Sequence, residues 1–417
     1  MLKRTISQLV LDSKTSESML RALGTSVFSS GFDDSPAFLG GASGKALFLY
    51  ELSKVDSAIL SHCQIDQLLN DIALSASSAR SLSFGTGAAG IGTLFEHILR
   101  QEDHGHDGSF NRNTDLIIAE QLSSPDAFPE SEYVTGLAGL LIYASRRSYC
   151  GSGKALLEAV IKCLFSRLST TGDGYISWPG TPKAMYRRSK HTASGEPVFN
   201  LGLAHGVPGI INALLSAMSV SEPQPGRQKL LYQTVVWLFE QQKDPRIDGT
   251  YYSYESTANE YTRLGWCYGD LSVAICLGRA GVYFSDKKIY EAGRQAALRS
   301  AERSMHKSVE IRDTHICHGA AGLVLLFSSL NDIYRESSLE CAAQYWMNFI
   351  ADRFIRSGCE GFRAWKLTGP DGRYGYTENF GFLEGLSGIG LTILACHWGV
   401  DNWLDLVLLD EPPTLDQ

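Results

Sequence analysis

Gly319-Ala320-Ala321-Gly322 runs directly into Leu323-Val324-Leu325-Leu326-Phe327. A Gly-x-x-Gly element followed by an apolar run of this kind recurs along the chain, and the recurrence decides the fold class. Other copies begin at Gly41, Gly87, Gly136, Gly206 and Gly385, and a seventh, Gly269-Asp270-Leu271-Ser272, lacks its second glycine. Successive starts lie 46 to 70 residues apart, at or a little beyond the span of a helical-pair repeat.

The runs after the glycines are apolar nearly all round, which predicts fully buried helices. Between them, stretches such as Ile65 to Ala76, Ala155 to Phe165, Leu230 to Gln241, Ile289 to Ala301 and Leu339 to Phe354 carry apolar residues at three- and four-residue steps. That period predicts amphipathic helices. Seven buried helices inside and seven amphipathic ones outside can stack as an open solenoid or close into a ring. No polar capping repeat is evident, and closure hides both ends, so the expected fold is all-α, an α/α toroid. It forms one domain over residues 1–417. The paired glycines are expected to allow positive φ and close backbone approach at the crowded helix starts.

One region breaks the rhythm. From Ser169 to Phe199 the chain is rich in Gly, Ser, Thr, Pro and aromatics, including Tyr175-Ile176-Ser177-Trp178-Pro179-Gly180. Short strands and turns are expected there, as an inserted subdomain over one face. It carries Lys183, Arg187, Arg188, Lys190 and His191, a basic cluster that suits either an acidic peptide or plain solvent.

Composition excludes several classes. Of 417 residues, 44% are hydrophobic and 20% charged, an ordinary globular mix. Acidic residues outnumber basic ones and the formal charge is −8, which disfavours a nucleic-acid module. No apolar run reaches the ~20 residues that span a bilayer. No apolar stretch follows Met1-Leu2-Lys3-Arg4, so no secretory signal is expected and the expected location is the cytoplasm. Nine cysteines in so long a chain argue against a disulfide framework. Most are expected to be reduced and buried, Cys396 beside His397 and Cys63 beside His62 among the structural ones.

Three glycine elements have unusual residues just before them: Gly202-Leu203-Ala204-His205-Gly206, Gly265-Trp266-Cys267-Tyr268-Gly269 and Ile316-Cys317-His318-Gly319. If the repeats are equivalent, Cys267, Cys317, His318 and His205 share one end of the barrel. Two thiolates and one imidazole make a zinc set with one position open. Taken alone, Cys267 also reads as a buried structural cysteine. Adjacent residues on a helix point about 100° apart, so Cys317 and His318 must lie in the turn before it.

These three motifs resemble the signatures of the lanthionine synthetase C family, the lanthipeptide cyclases, and the likeness covers nearly the whole chain. The resemblance implies an α/α toroid, one Zn2+ per chain and closure of thioether rings in a precursor peptide. It implies Cys267, Cys317 and His318 as zinc ligands, His205 as the catalytic histidine, Arg263 as an active-site arginine, and Tyr268 beside the first ligand. The family often has an aspartate four residues before the third glycine element, where this chain has Glu132. Glutamate keeps the charge and reaches one methylene further toward His205.

The implied reaction adds a peptide cysteine to dehydroalanine or dehydrobutyrine. A free thiol is only a few per cent ionised at neutral pH, so full ionisation raises the reactive fraction roughly thirtyfold, about 2 kcal/mol. Addition generates an enolate. His205 is then the expected general acid, Glu132 its orienting partner and Arg263 the stabiliser of the enolate oxygen. No room is expected for a dehydratase domain, so the expected partners are a separate dehydratase, a leader-bearing dehydrated peptide and an exporter, with membrane association only through such a complex. Three rivals remain: a relative that adds glutathione to dehydroamino acids, a metal-free α/α-barrel glycosidase using acids such as Glu132, Asp270 and Glu384, and a binding scaffold that has lost activity.

Overall fold

The computed structural model describes all residues except 1–8, 33–34, 57–60, 80, 104, 125–126, 181–196, 306–310, 369–372 and 412–417. Each glycine element starts an apolar helix: α2 (Ala42–Val55), α4 (Ala88–Glu102), α6 (Leu137–Arg146), α8 (Val207–Met218), α11 (Asp270–Tyr283), α13 (Ala320–Tyr334) and α15 (Leu386–Trp398). In α13 every residue from Ala320 to Asn331 is buried, as its unbroken apolar run requires. Seven amphipathic helices alternate with these: α1 (Ser13–Ser29), α3 (His62–Ser75), α5 (Arg112–Gln121), α7 (Gly151–Ser166), α9 (Pro225–Glu240), α12 (Lys287–Ser304) and α14 (Ser337–Ser357). A single turn, α10 (Pro245–Asp248), completes the α-helices of the described residues.

The chain divides into two compact units, residues 1–98 with 301–403 and residues 99–300 with 404–417. In the first, α1 packs on α2 and α15, α2 packs on α15, and α13 lies against α14 and α15. The first and last apolar helices are therefore neighbours. The turns before the helices repeat that order. Cys317 N–H donates to the Leu383 carbonyl at 3.0 Å, Leu383 N–H to Leu39 at 2.9 Å, and Leu39 N–H to Gly85 at 3.1 Å. The link from the seventh turn to the first is what ring closure needs and an open solenoid lacks. In the second unit α6 packs on α7 and α8, and α8 on α9 and α11. Its turns are linked in the same way, Tyr133 N–H to Ala204 and Ala204 N–H to Cys267, both at 3.3 Å.

Six of the turns share a further bond: the first helical N–H donates to a carbonyl seven residues back, as in Val207 to Asn200 (2.9 Å) and Ala320 to Asp313 (3.2 Å). This satisfies a helix-end donor that would otherwise be orphaned. It also explains the glycine pairs. A Cβ at Gly322 would overlap the Ile316 carbonyl oxygen, and one at Gly209 the Leu203 carbonyl oxygen. Close approach is therefore the reason for glycine. Of the N-cap glycines only Gly269 has the expected positive φ (101°); Gly41 (−118°), Gly136 (−108°), Gly206 (−140°), Gly319 (−114°) and Gly385 (−143°) are extended.

Among the described residues, two short hairpins decorate the helices. β1 (Ser169–Thr170) pairs antiparallel with β2 (Ile176–Ser177) at the start of the expected insertion. Trp178 follows, buried, its indole donating to the Leu164 carbonyl of α7 at 2.8 Å. The basic cluster of Lys183, Arg187, Arg188, Lys190 and His191 lies outside the described residues. The second hairpin, β3 (Ala364–Leu367) with β4 (Tyr374–Thr377), pairs Trp365 opposite Tyr376. It lies between the sixth and seventh apolar helices and was not expected from the sequence.

Candidate active site

The helix N-caps place the candidate residues. His205 immediately precedes the N-cap Gly206 of α8, and Cys267 stands two residues before the N-cap Gly269 of α11. Cys317 and His318 stand two and one before the N-cap Gly319 of α13, in the turn and off the helix as expected. Cys267 and Cys317 thus hold equivalent positions, and so do His205 and His318.

In the second unit, His205 Nδ1 lies 2.8 Å from Glu132 Oε2. The longer glutamate therefore does reach its histidine. Its carboxylate is buried and held by further donors: Val134 N–H at 2.8 Å, Thr135 N–H at 2.5 Å and the Thr135 hydroxyl at 2.7 Å. Burial alone would raise the Glu132 pKa. The hydrogen bond and charge of His205, with the Thr135 donors, outweigh it and bring the carboxyl below its ordinary value. Burial alone would likewise lower His205, but the hydrogen bond and charge of Glu132, then Cys267 and Glu130, raise it. The His205 side chain is 37% exposed while Glu132 is 4% exposed, so the imidazole is the open end of the pair.

Arg263 Nη2 lies 3.5 Å from Cys267 Sγ. Tyr268 is buried beneath, its ring 6.5 Å from that of His205. Asn200 Nδ2 donates to the Tyr268 hydroxyl at 2.8 Å, and Asn200 Oδ1 accepts from Gly202 N–H at 2.8 Å. Gly202 is required here, because a Cβ would overlap the Tyr268 ring. Trp178, Pro179 and Gly180 line a small cleft together with Glu132 and His205. The described start of the insertion thus walls one side of the pair.

In the first unit, Asp313 Oδ2 lies 2.8 Å from His315 Nε2 and 3.9 Å from His318 Nε2, and accepts from Trp365 N–H at 3.0 Å. The two imidazoles meet edge to face with centroids 4.4 Å apart. The donor atoms of Asp313, His315 and His318 lie within 4.8 Å of one another.

Known proteins place this architecture. The pattern of the family described as lanthionine synthetase C-like protein matches residues 34–408. The chain belongs to this family. Among solved structures, nisin cyclase matches with a TM-score of 0.71 at 18% identity, over 95% of this chain and 97% of that one. The fold is the α/α toroid that the repeats predict.

The family resemblance implies zinc, and the donor chemistry fits. Cys267 in the second unit, and Cys317 and His318 in the first, carry the thiol and imidazole donors that zinc accepts. Cys267 and Cys317 are buried, and neither is in a disulfide. Among the described residues, His318 Nδ1 is buried with no hydrogen-bond partner, a cost of about 1–3 kcal/mol for a group with nothing to bind. A metal ion would use that lone pair.

Other expectations divide. Cys396 is core, as expected, and Cys276 is buried too, but Cys63 and Cys341 are exposed and Cys150, Cys163 and Cys359 half-buried. Cys63, Cys163 and Cys341 sit on amphipathic helices, Cys150 at a helix N-cap and Cys359 in a short 3-10 turn, places that leave them partly or fully at the surface. Asp270 accepts from the Thr250 hydroxyl and from Tyr251 and Tyr252 N–H; it is buried and anchors a loop. Sequence reading missed Asn200 and Asp313. The signal was available, because both stand six residues before an N-cap glycine, as Arg263 does.

Proposed function

We propose that this chain is a zinc-dependent lanthipeptide cyclase, a single toroid domain over 1–417 with residues 169–199 inserted. It adds cysteine thiols of a dehydrated, leader-bearing precursor peptide to dehydroalanine or dehydrobutyrine, forming lanthionine and methyllanthionine. One observation carries the reading: a buried carboxylate holds Nδ1 of a partly exposed histidine, in the same turn system as Cys267 and Arg263. Fold and family membership support it.

Cys267, Cys317 and His318 would hold the zinc ion, which when bound supplies a Lewis acid that favours the thiolate form of a substrate cysteine. The rest of the chemistry falls to the chain. Sulfur attacks the alkene β-carbon, the C–S bond forms, and the π pair moves onto the α-carbon and its carbonyl. Glu132 fixes the proton on His205 Nδ1, which directs Nε2–H outward. His205 Nε2 then protonates the α-carbon and regains the proton lost by the thiol through solvent, so nothing else is consumed. Arg263 offsets the negative charge on the enolate oxygen. Tyr268, pinned by Asn200, floors the site. A separate dehydratase makes the alkenes and an exporter removes the product, with the chain working in the cytoplasm. No helix among the described residues is long and apolar enough to cross a membrane.

The test is incubation with a dehydrated, uncyclised peptide, counting residual thiols by mass after alkylation. Ring formation well above the buffer rate, with about one zinc per chain, is the expected result. Cys317→Ala should fall to the buffer rate. Wild type no faster than buffer would sink the proposal. A cysteine-free dehydrated peptide with glutathione forms the second arm, and rapid adduct formation there without ring closure would favour the glutathione-adding relative.

A further inference from the structure

Asp313 belongs to neither the ligand set nor the proton-transfer pair, yet it is buried at the centre of a polar knot. Its Oδ2 faces two imidazoles through their Nε2 atoms, His315 at 2.8 Å and His318 at 3.9 Å. The same oxygen accepts from Trp365 N–H at 3.0 Å, which ties the carboxylate to β3. Its backbone is fixed as well, the carbonyl accepting from Ala320 N–H at 3.2 Å. On the far side of each ring the pattern is reversed: among the described residues, Nδ1 of His315 and Nδ1 of His318 are both buried without a hydrogen-bond partner. Of the two, His318 is the one that directly follows Cys317 in the turn.

A carboxylate facing Nε2 favours the tautomer that carries the proton there and leaves Nδ1 as the lone-pair nitrogen. His315, wedged edge-on against His318, limits how far the second ring can turn. We propose that Asp313 is the positioning residue of the metal site: with His315 as a buttress and β3 as its anchor, it fixes the tautomer and angle of His318 so that Nδ1 is the ligating atom. The inference rests on the zinc reading above and adds to it a residue, an atom and a cause for the unexpected hairpin.

The experiment measures zinc affinity by competition with a chromophoric chelator, and the visible spectrum of the Co2+-loaded protein, for wild type, Asp313→Asn, Asp313→Ala and Cys317→Ala. Thermal melts of the metal-free variants check folding. Asp313→Ala should weaken zinc roughly 10- to 100-fold and shift the Co2+ bands. Asp313→Asn, which can still accept from Trp365, should weaken it less, roughly 3- to 10-fold. A loss under threefold in Asp313→Ala overturns the positioning role. A loss as complete as that of Cys317→Ala makes Asp313 a ligand and overturns it too. If Asp313→Ala fails to fold, Asp313→Asn decides by the same threefold limit. Wild type that takes up no zinc removes the zinc reading and this inference together; zinc uptake unaffected by Asp313 removes only the inference.

Discussion

His205 and His318 stand at the same place in two turns of the same design, one residue before an N-cap glycine. Each faces a buried carboxylate, but through opposite nitrogens. Glu132 engages Nδ1 of His205 at 2.8 Å and leaves Nε2 at the open end. Asp313 faces Nε2 of His318 at 3.9 Å and leaves Nδ1 buried and bare. The first arrangement suits a proton donor, because a close anion keeps the imidazole charged. The second suits a metal ligand, because the lone pair points into a dry place where only a cation repays it. A repeated scaffold can thus supply two chemistries by changing which ring nitrogen a carboxylate addresses.

Replacing the donor tests the first half of this comparison most severely. His205→Asn should slow ring closure by roughly 10²–10⁴-fold, the usual range for a lost general acid, in a thiol-consumption assay on dehydrated peptide. A loss under threefold would remove the histidine from proton transfer.

The carboxylate is the next lever. Without its charge, the raised pKa of His205 must fall, so Glu132→Gln should move the alkaline limb of the pH–rate profile to lower pH. An unmoved limb would mean that the pair does not set the protonation of the acid. Stability carries a matching signature. His205 is raised above 6.5, so its contribution is full below that pH and lost as pH rises through the folded value. Glu132 is lowered below 4.5, so its contribution is full above that pH and lost as pH falls through the folded value. Wild type should therefore exceed Glu132→Gln in denaturant stability most between pH 4.5 and 6.5. A pH-independent difference would contradict this coupling.

The smallest effects probe the scaffold that both turns share. Gly322→Ala drives a Cβ onto the Ile316 carbonyl oxygen and should cost about 1–3 kcal/mol in a urea melt. Gly226→Ala, in α9 with nothing within 4 Å, should stabilise by about 0.4–1 kcal/mol. Equal effects at the two sites would deny that close approach explains the glycine pairs.

Much of this was legible beforehand. The glycine elements mark all seven apolar helices because close approach favours the smallest residues, with Ser272 the one replacement for a second glycine, and an apolar run such as Leu323–Phe327 has no exposed alternative. The ligand and donor candidates were legible because they sit at fixed offsets from those glycines. The α1 and α5 helices were not singled out, since their apolar stripes are narrow. The β3–β4 hairpin was hidden by its length: four residues per strand give too little alternation to stand out. Asp313 stands at a fixed offset too, six residues before its N-cap glycine, but the offset alone does not say what the acid does. Its meaning comes from Trp365 N–H and two rings, contacts that only the folded chain supplies.

The most direct measurement is zinc content and ring-closure rate taken together on His205→Asn and His318→Asn. The account predicts a clean separation: His205→Asn keeps about one zinc per chain and loses the proton-transfer step, while His318→Asn loses the metal. Zinc lost from His205→Asn, or retained at full affinity by His318→Asn, would contradict the division of labour between the two turns.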